Sequence, residues 1–244
     1  MPRFFVPSEN FDLDKVKITG DDAFHIARAL RMAVGDEITI ADMQGNEHLC
    51  RLEKIRDEEV DCIILETKAG KTESPLEITL YMGYPKGDKL ETVIQKAVEL
   101  GASRIVPFES SRCVKRPRAD KAEKQGARLS RIAEEAAKQC GRAKIPQVLP
   151  PISFKEMISL AAKDTLSLFC YEGDGTESLK RVLETENTQD SLSVIVGCEG
   201  GFSTDEANSA KEAGLRLVNL GPRILRCETA PIYVLSAISY RYEL

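Results

Sequence analysis

The period of the hydrophobic pattern changes once along this chain, across the segment AGKTESP at residues 69–75, and that change limits the fold more than any other feature. Before it, DEITIADM, NEHLCRLEKI and EEVDCIILET alternate apolar and polar residues, the period-2 pattern of half-buried strands, with turns at QGN and RDE. After it, apolar runs (LEITLYMGY, SRIVPFES, TLSLFCY, LSVIVG, LRLVNL) are separated by amphipathic stretches. Those stretches are KGDKLETVIQKAVELG closed by Gly101, ADKAEKQGARLSRIAEEAAKQCGR, FKEMISLAA, ESLKRVLET, TDEANSAKEAG and a last helix from about Glu228. Strands alternating with helices build βαβ units and hence a parallel, doubly wound sheet with helices on both faces. The expected organisation is a small β-barrel over residues 1–70, a linker at 71–75 and an α/β domain over 76–244. One helix, Asp21 to Met32, is expected to interrupt the barrel, N-capped by Asp21 or Asp22 and burying Phe24, Ile26, Ala27 and Leu30.

Ligands of such sheets sit outside the carboxyl ends of the strands. This rule brings three loops to one crevice: CYEGDG after the strand ending near Cys170, GCEGG after Val196, and LGPRILRCETAP after Asn219. The first strand ends YMGYPKGDK, without the glycine fingerprint of a dinucleotide or P-loop site, so the site moves to the C-terminal end. Glycines let backbone approach a ligand closely, and the N–H groups of turns and helix starts point outward as donors. Two Gly turns alone point to an anionic or nucleotide-like ligand. Gly200 and Gly201 also suit a tight turn before a helix capped by Ser203 or Thr204, but that leaves Glu199 unexplained, just as solvation leaves Arg223 and Arg226 unexplained.

Composition narrows the chemistry. Seven dispersed cysteines with no C-x-x-C pair argue against a disulfide framework or a zinc site, so no metal is expected, and two histidines exclude a mechanism built on several imidazoles. No run approaches the ~18 apolar residues of a membrane span, and the N-terminus lacks a signal-peptide pattern, so the expected location is the cytoplasm. The net charge of −5 hides a basic segment over residues 103–144, where twelve Lys and Arg face five acids. Such a segment marks a nucleic-acid track, here with Arg112, Lys115, Arg116, Arg118 and Arg142. Arg3, Arg28 and Arg31 near the N-terminus, beside Phe4 and His25, are further candidates for phosphate contacts, against the plain reading of a solvated helix face.

The motifs GCEGGFSTDE and LGPRILRCETA closely resemble those of the SPOUT class of RNA methyltransferases, in particular the 16S ribosomal RNA uridine-N3 methyltransferase family, whose usual forms are GPEGGFS and LGxRILRxETA. Arg3, Phe4, His25, Leu30 and Arg31, the run IQKAVELG, Arg112 to Val114 and AKQCGR extend the likeness over nearly the whole chain. The resemblance implies an N-terminal PUA-like barrel that helps bind RNA, a C-terminal domain with a deep trefoil knot, a homodimer, and S-adenosylmethionine bent into the knot loops. It implies 16S ribosomal RNA, within the small subunit, as the partner. The implied cofactor residues are Tyr171, Glu172 and Gly173; Gly197, Glu199, Gly200 and Gly201; Leu220, Gly221, Arg223, Ile224 and Leu225; and Glu228, Thr229 and Ala230. Arg226 is expected to stabilise charge on the base. Glu199 is expected to organise its loop or serve as the base, and Arg3 to complete the site. Cys198 and Cys227 stand where the family usually has Pro and Thr, and Pro231 where a small residue or Thr is commoner. The alternatives are a relative that methylates a ribose 2′-hydroxyl or a tRNA base, and a non-catalytic RNA-binding assembly protein.

Overall fold

The computed structural model describes residues 1–114, 120, 122–186 and 190–244. They form two compact units, one of Met1–Glu73 with Ala137–Ile145, the other of Ser74–Ala136 with Pro146–Leu244.

The first unit is a curled six-stranded sheet. Its strands are β1 (Arg3–Phe5), β2 (Phe11–Asp12), β3 (Lys15–Thr19), β4 (Glu37–Ala41), β5 (Asn46–Ile55) and β6 (Glu59–Ala69). They run in the order β1-β4-β5-β6-β3-β2, antiparallel except for β1 against β4. Register shifts at Leu49/Cys50 and Leu52/Lys54 interrupt the long β5–β6 ladder, as bulges that strengthen strand twist do. The alternating residues Ile38, Ile40, Cys50, Leu52, Val60 and Cys62 meet in one core, as the period-2 pattern requires.

The helix between β3 and β4 differs from the expected one. It is a single α turn, α1 (Asp21–Phe24), opened by Gly20 at φ +67° and continued by a π turn over His25–Ala29. Leu30 N–H bonds to His25 O, and this wider winding rotates the buried face. Ala23 and Ile26 are buried, whereas Phe24 and Leu30 are exposed.

The second unit follows the alternating pattern closely. Its main strands are β7 (Glu77–Gly83), β8 (Arg104–Glu109), then β9 (Gln147–Val148) and β10 (Ile152–Ser153), β11 (Leu166–Cys170), β12 (Glu177–Ser178), β13 (Ser191–Val196) and β14 (Arg216–Asn219). Between them run α2 (Lys89–Glu99), α3 (Ala122–Cys140, whose last turn belongs to the first unit), α4 (Phe154–Ala161), α5 (Leu179–Thr185), α6 (Thr204–Glu212) and finally α7 (Thr229–Tyr242). The order is β10-β8-β7-β13-β11-β14-β12 with β9 beside β8, and every pairing is parallel. Because β13, β11 and β14 are neighbours, the three loops at their carboxyl ends start side by side.

Candidate active site

The loop after β13 is built by close approach. Gly83, at the end of β7, leaves no room for a side chain: a Cβ there would stand 2.4 Å from the Cys198 nitrogen. The chain therefore crosses directly over the end of β7. It then turns back at Gly201, whose φ of +62° suits glycine and whose N–H bonds to Cys198 O at 2.9 Å. Phe202 anchors the turn from below, its ring 4.1 Å from that of Phe169 and stacked on Phe108 at 6.1 Å. Ser203 and Glu206 close a capping box that starts α6.

The other two loops are pinned to the same sheet end. Tyr171 N–H bonds to Val218 O, which joins the loop after β11 to β14. Asn219 donates from Nδ2 to Thr176 Oγ1 and Glu177 O, both at 3.1 Å, and accepts from Gly221 N–H, so the loop after β14 leaves at a fixed angle. Arg226 O receives the N–H groups of Thr229 and Ala230, which opens α7.

These loops enclose a cavity of ≈ 500 Å³, the size range of sites for small organic ligands. Of the residues expected around a cofactor, Tyr171, Glu172, Gly197, Glu199, Gly201, Leu220, Gly221, Arg223, Ile224, Leu225 and Ala230 line it, together with Arg226. Gly173, Gly200, Glu228 and Thr229 are not part of that lining. Gly173 gives way to the Tyr171 ring, 2.5 Å from where its Cβ would be, and Gly200 lies against Arg112, which donates to Gly200 O at 3.1 Å. Arg223 and Arg226 are exposed and make no ion pair among the described residues, so the cavity rim carries two guanidiniums free to meet negative charge.

Glu199 is engaged. Its Oε1 accepts the Lys89 ammonium at 3.0 Å and the Lys86 N–H at 3.1 Å. Partial burial works against its charge, but its own backbone N–H, Lys89 and Lys86 outweigh that and hold the carboxyl below the ordinary range. A carboxylate so stabilised is a poor proton acceptor, and its geometry is that of a loop brace. Cys198, in the position the resemblance gives to Pro, lies beside Cys113, its sulfur 4.0 Å from the Ser110 hydroxyl. Cys198, with the Ser110 hydroxyl and N–H, holds the Cys113 thiol below its usual range.

Some cavity residues escaped the sequence reading. Cys170, Cys198, Pro222 and Cys227 sit inside the expected loops without having been singled out as cofactor residues, and Val196, Phe202 and Asn219 flank those loops. Lys89 comes from a distant segment, at the start of α2. The basic candidates are divided between the units. Arg3, Arg28, Arg31 and Arg142 belong to the first and Arg112 to the second, while Lys115, Arg116 and Arg118 lie outside the described residues. Arg31 is exposed at φ +52°, and Arg28 is exposed but forms a two-pronged pair with Asp57 at 2.9 and 2.5 Å. Arg3 bonds to Glu47 and to Arg142 O, each at 3.1 Å. Arg142 is only 4% exposed and pairs with Glu73 at 2.5 Å, so its expected place on a phosphate-facing surface is corrected to one in the packing of the first unit.

The RNA methyltransferase domain family matches residues 72–239, a span that holds the whole cavity, and the RNA methyltransferase PUA domain matches residues 18–65. The chain belongs to the RNA methyltransferase domain family. Within that family, Ribosomal RNA small subunit methyltransferase E of Bacillus subtilis (strain 168) is 34% identical over 251 positions, covering 100% of this chain and 98% of that protein. The protein of that name from Synechocystis is 31% identical, over 99% of this chain and 78% of its own length. The crystal structure of Ribosomal RNA small subunit methyltransferase E from Neisseria gonorrhoeae, bound to S-adenosyl methionine, has a TM-score of 0.84 to this fold. It is 32% identical and covers 98% of this chain and 97% of its own.

Proposed function

We propose that this protein uses S-adenosylmethionine to methylate uridine N3 in the 16S RNA of the small ribosomal subunit. One observation carries the reading: three glycine-bearing loops at adjacent strand ends enclose a small-ligand cavity rimmed by Arg223 and Arg226, which form no ion pair among the described residues, in a chain whose relatives are named small-subunit ribosomal RNA methyltransferases. The cavity suits the cofactor, with apolar walls at Val196, Phe202, Leu225 and Ala230 for its adenine and backbone turns at Gly197–Gly201 and Leu220–Leu225 for its polar edges. Bound there, S-adenosylmethionine supplies an electrophilic methyl group on a sulfonium sulfur.

The chain's own residues hold and polarise. Uracil N3 is a weakly acidic imide, and as its proton passes to solvent water, negative charge grows on the flanking oxygens while N3 takes up the methyl group. Arg226 is the donor assigned to that charge, a role worth roughly 3–4 kcal/mol. Glu199 braces its loop, and Arg3, engaged by Glu47, is left to the packing of its own unit.

Arg28, Arg31, Arg112, Lys115, Arg116 and Arg118 make up the proposed phosphate contacts. A second copy of the chain is the proposed partner of α7, a mostly apolar helix that leaves Tyr233 and Tyr240 exposed. The knotted threading of the C-terminal domain belongs to the same proposal, as does a place in the cytoplasm. Among the described residues no helix is long and apolar enough to cross a membrane.

The test is methyl transfer from labelled cofactor to RNA of a strain lacking this protein, comparing naked 16S RNA with small subunits, followed by nuclease digestion and mass spectrometry. N3-methyluridine is the expected product. A 2′-O-methylated nucleoside, label in transfer RNA alone or no label would each overturn the assignment.

A further inference from the structure

Lys89 is the first residue of α2, where a cation opposes the helix dipole, so helix stability does not explain it. What surrounds its ammonium does. Nζ lies 3.0 Å from Glu199 Oε1 and 3.4 Å from Glu228 Oε2, and 3.8 Å from the Cys227 sulfur. The two carboxylates come from different loops: Glu199 from the turn after β13, Glu228 from the end of the loop after β14, where it precedes α7. Cys227 donates to Glu228 Oε2 at 3.2 Å, and the Lys86 N–H to Glu199, so one ammonium is the hub at which the exit of β7 and both loops meet. Without it, two negative charges would be left facing each other at the cavity wall.

We infer that Lys89 is a positioning residue for the cofactor, coupling the two glycine-bearing loops so that each is held in its ligand-ready place only while the other is. The inference rests on the cofactor proposed above. All three side chains are about one-third exposed or less, at 33%, 32% and 25%. Pairs that reach solvent in this way contribute little to global stability. The effect belongs to local loop order and should appear in ligand affinity.

The experiment is calorimetric binding of S-adenosylmethionine and of S-adenosylhomocysteine to the full chain. S-adenosylhomocysteine lacks the sulfonium charge, which separates positioning from a direct field effect. Lys89→Gln is expected to weaken both ligands equally, by about tenfold, the size expected when a group that orders a binding loop is lost. The thermal midpoint should barely move, and Lys89→Arg should restore most of the affinity. Unchanged affinity for both ligands overturns the inference. So does tighter binding of the methionine form alone, because removing a positive charge near a sulfonium would do that without any change in the loops. Should Lys89→Gln fail to fold, Glu228→Gln breaks the same bridge from the other side, and unchanged affinity there is equally decisive. Wild-type protein that binds neither ligand would instead sink the proposed function, before any variant is read.

Discussion

Arg226 and Glu199 differ in how they are engaged: one is a guanidinium at the cavity rim with no ion pair among the described residues, the other a carboxylate held by an ammonium and a backbone N–H. Replacing Arg226 by Ala should therefore leave cofactor affinity nearly normal and lower kcat by roughly 10²- to 10³-fold, as loss of one donor to a developing oxyanion does. Single-turnover kinetics beside a binding isotherm separates the two, and normal turnover would remove Arg226 from the mechanism. Glu73 makes the opposite kind of contribution. Burial raises its pKa, but the Arg142 guanidinium and the N–H groups of Ala143 and Lys144 outweigh that and hold it below the carboxylate range. A group lowered in the folded state stabilises above its unfolded pKa of about 4.3, and that stabilisation is lost as pH falls through the folded value. Urea midpoints of the wild type should thus fall below about pH 4 more steeply than those of Glu73→Gln, which should already be weaker at pH 7 by about 3 kcal/mol. Parallel curves would show that the pair carries no such linkage.

Elements meet the loops at points where only backbone fits. In β7 the Cβ of an alanine at Gly83 would lie 2.4 Å from the Cys198 nitrogen and 2.8 Å from the Gly197 carbonyl carbon, both main-chain atoms that cannot swing aside. Gly83→Ala should displace the turn after β13 and cost cofactor affinity at least tenfold, about 1.4 kcal/mol, while the circular dichroism of the sheet stays native. Retained affinity would show that the turn yields at no cost. Nothing in YMGYPKGDK separates this glycine from an ordinary strand end, because its constraint comes from a segment more than a hundred residues away. The π turn after α1 was hidden for a related reason. Spacing of apolar residues assumes 3.6 per turn, and with a π turn over His25–Ala29, Phe24 and Leu30, both expected in the core, stand exposed while Ile26 stays buried.

At the level of the whole molecule, the charge distribution makes its own prediction. If residues 115–118 meet phosphates, Ala at Lys115, Arg116 and Arg118 together should weaken RNA binding at low salt and reduce the slope of log K against log salt by about 3, roughly one per cation. An unchanged slope would place the RNA track elsewhere. That segment was picked out by composition alone, and composition misjudged Arg142: the same run of basic residues that suggests a track also contains a guanidinium folded inward against Glu73.

Sequence alone determined the order and type of nearly every long element here, because the two hydrophobic periods, 2.0 and 3.6, are local properties that each strand and helix carries in its own residues. It also pointed to the three loops that line the cavity, since parallel sheets bind at carboxyl ends and the glycines of those loops were in view. Tertiary structure settled everything that depends on a distant partner. It showed that Gly83 must be glycine, that Arg3 and Arg142 are already engaged, and that Ala137–Ile145 belongs with the first unit. It put Lys89, at the start of a helix, between carboxylates of two loops that follow it by more than a hundred residues. Contacts of that range are made by the folded chain, and no local pattern records them.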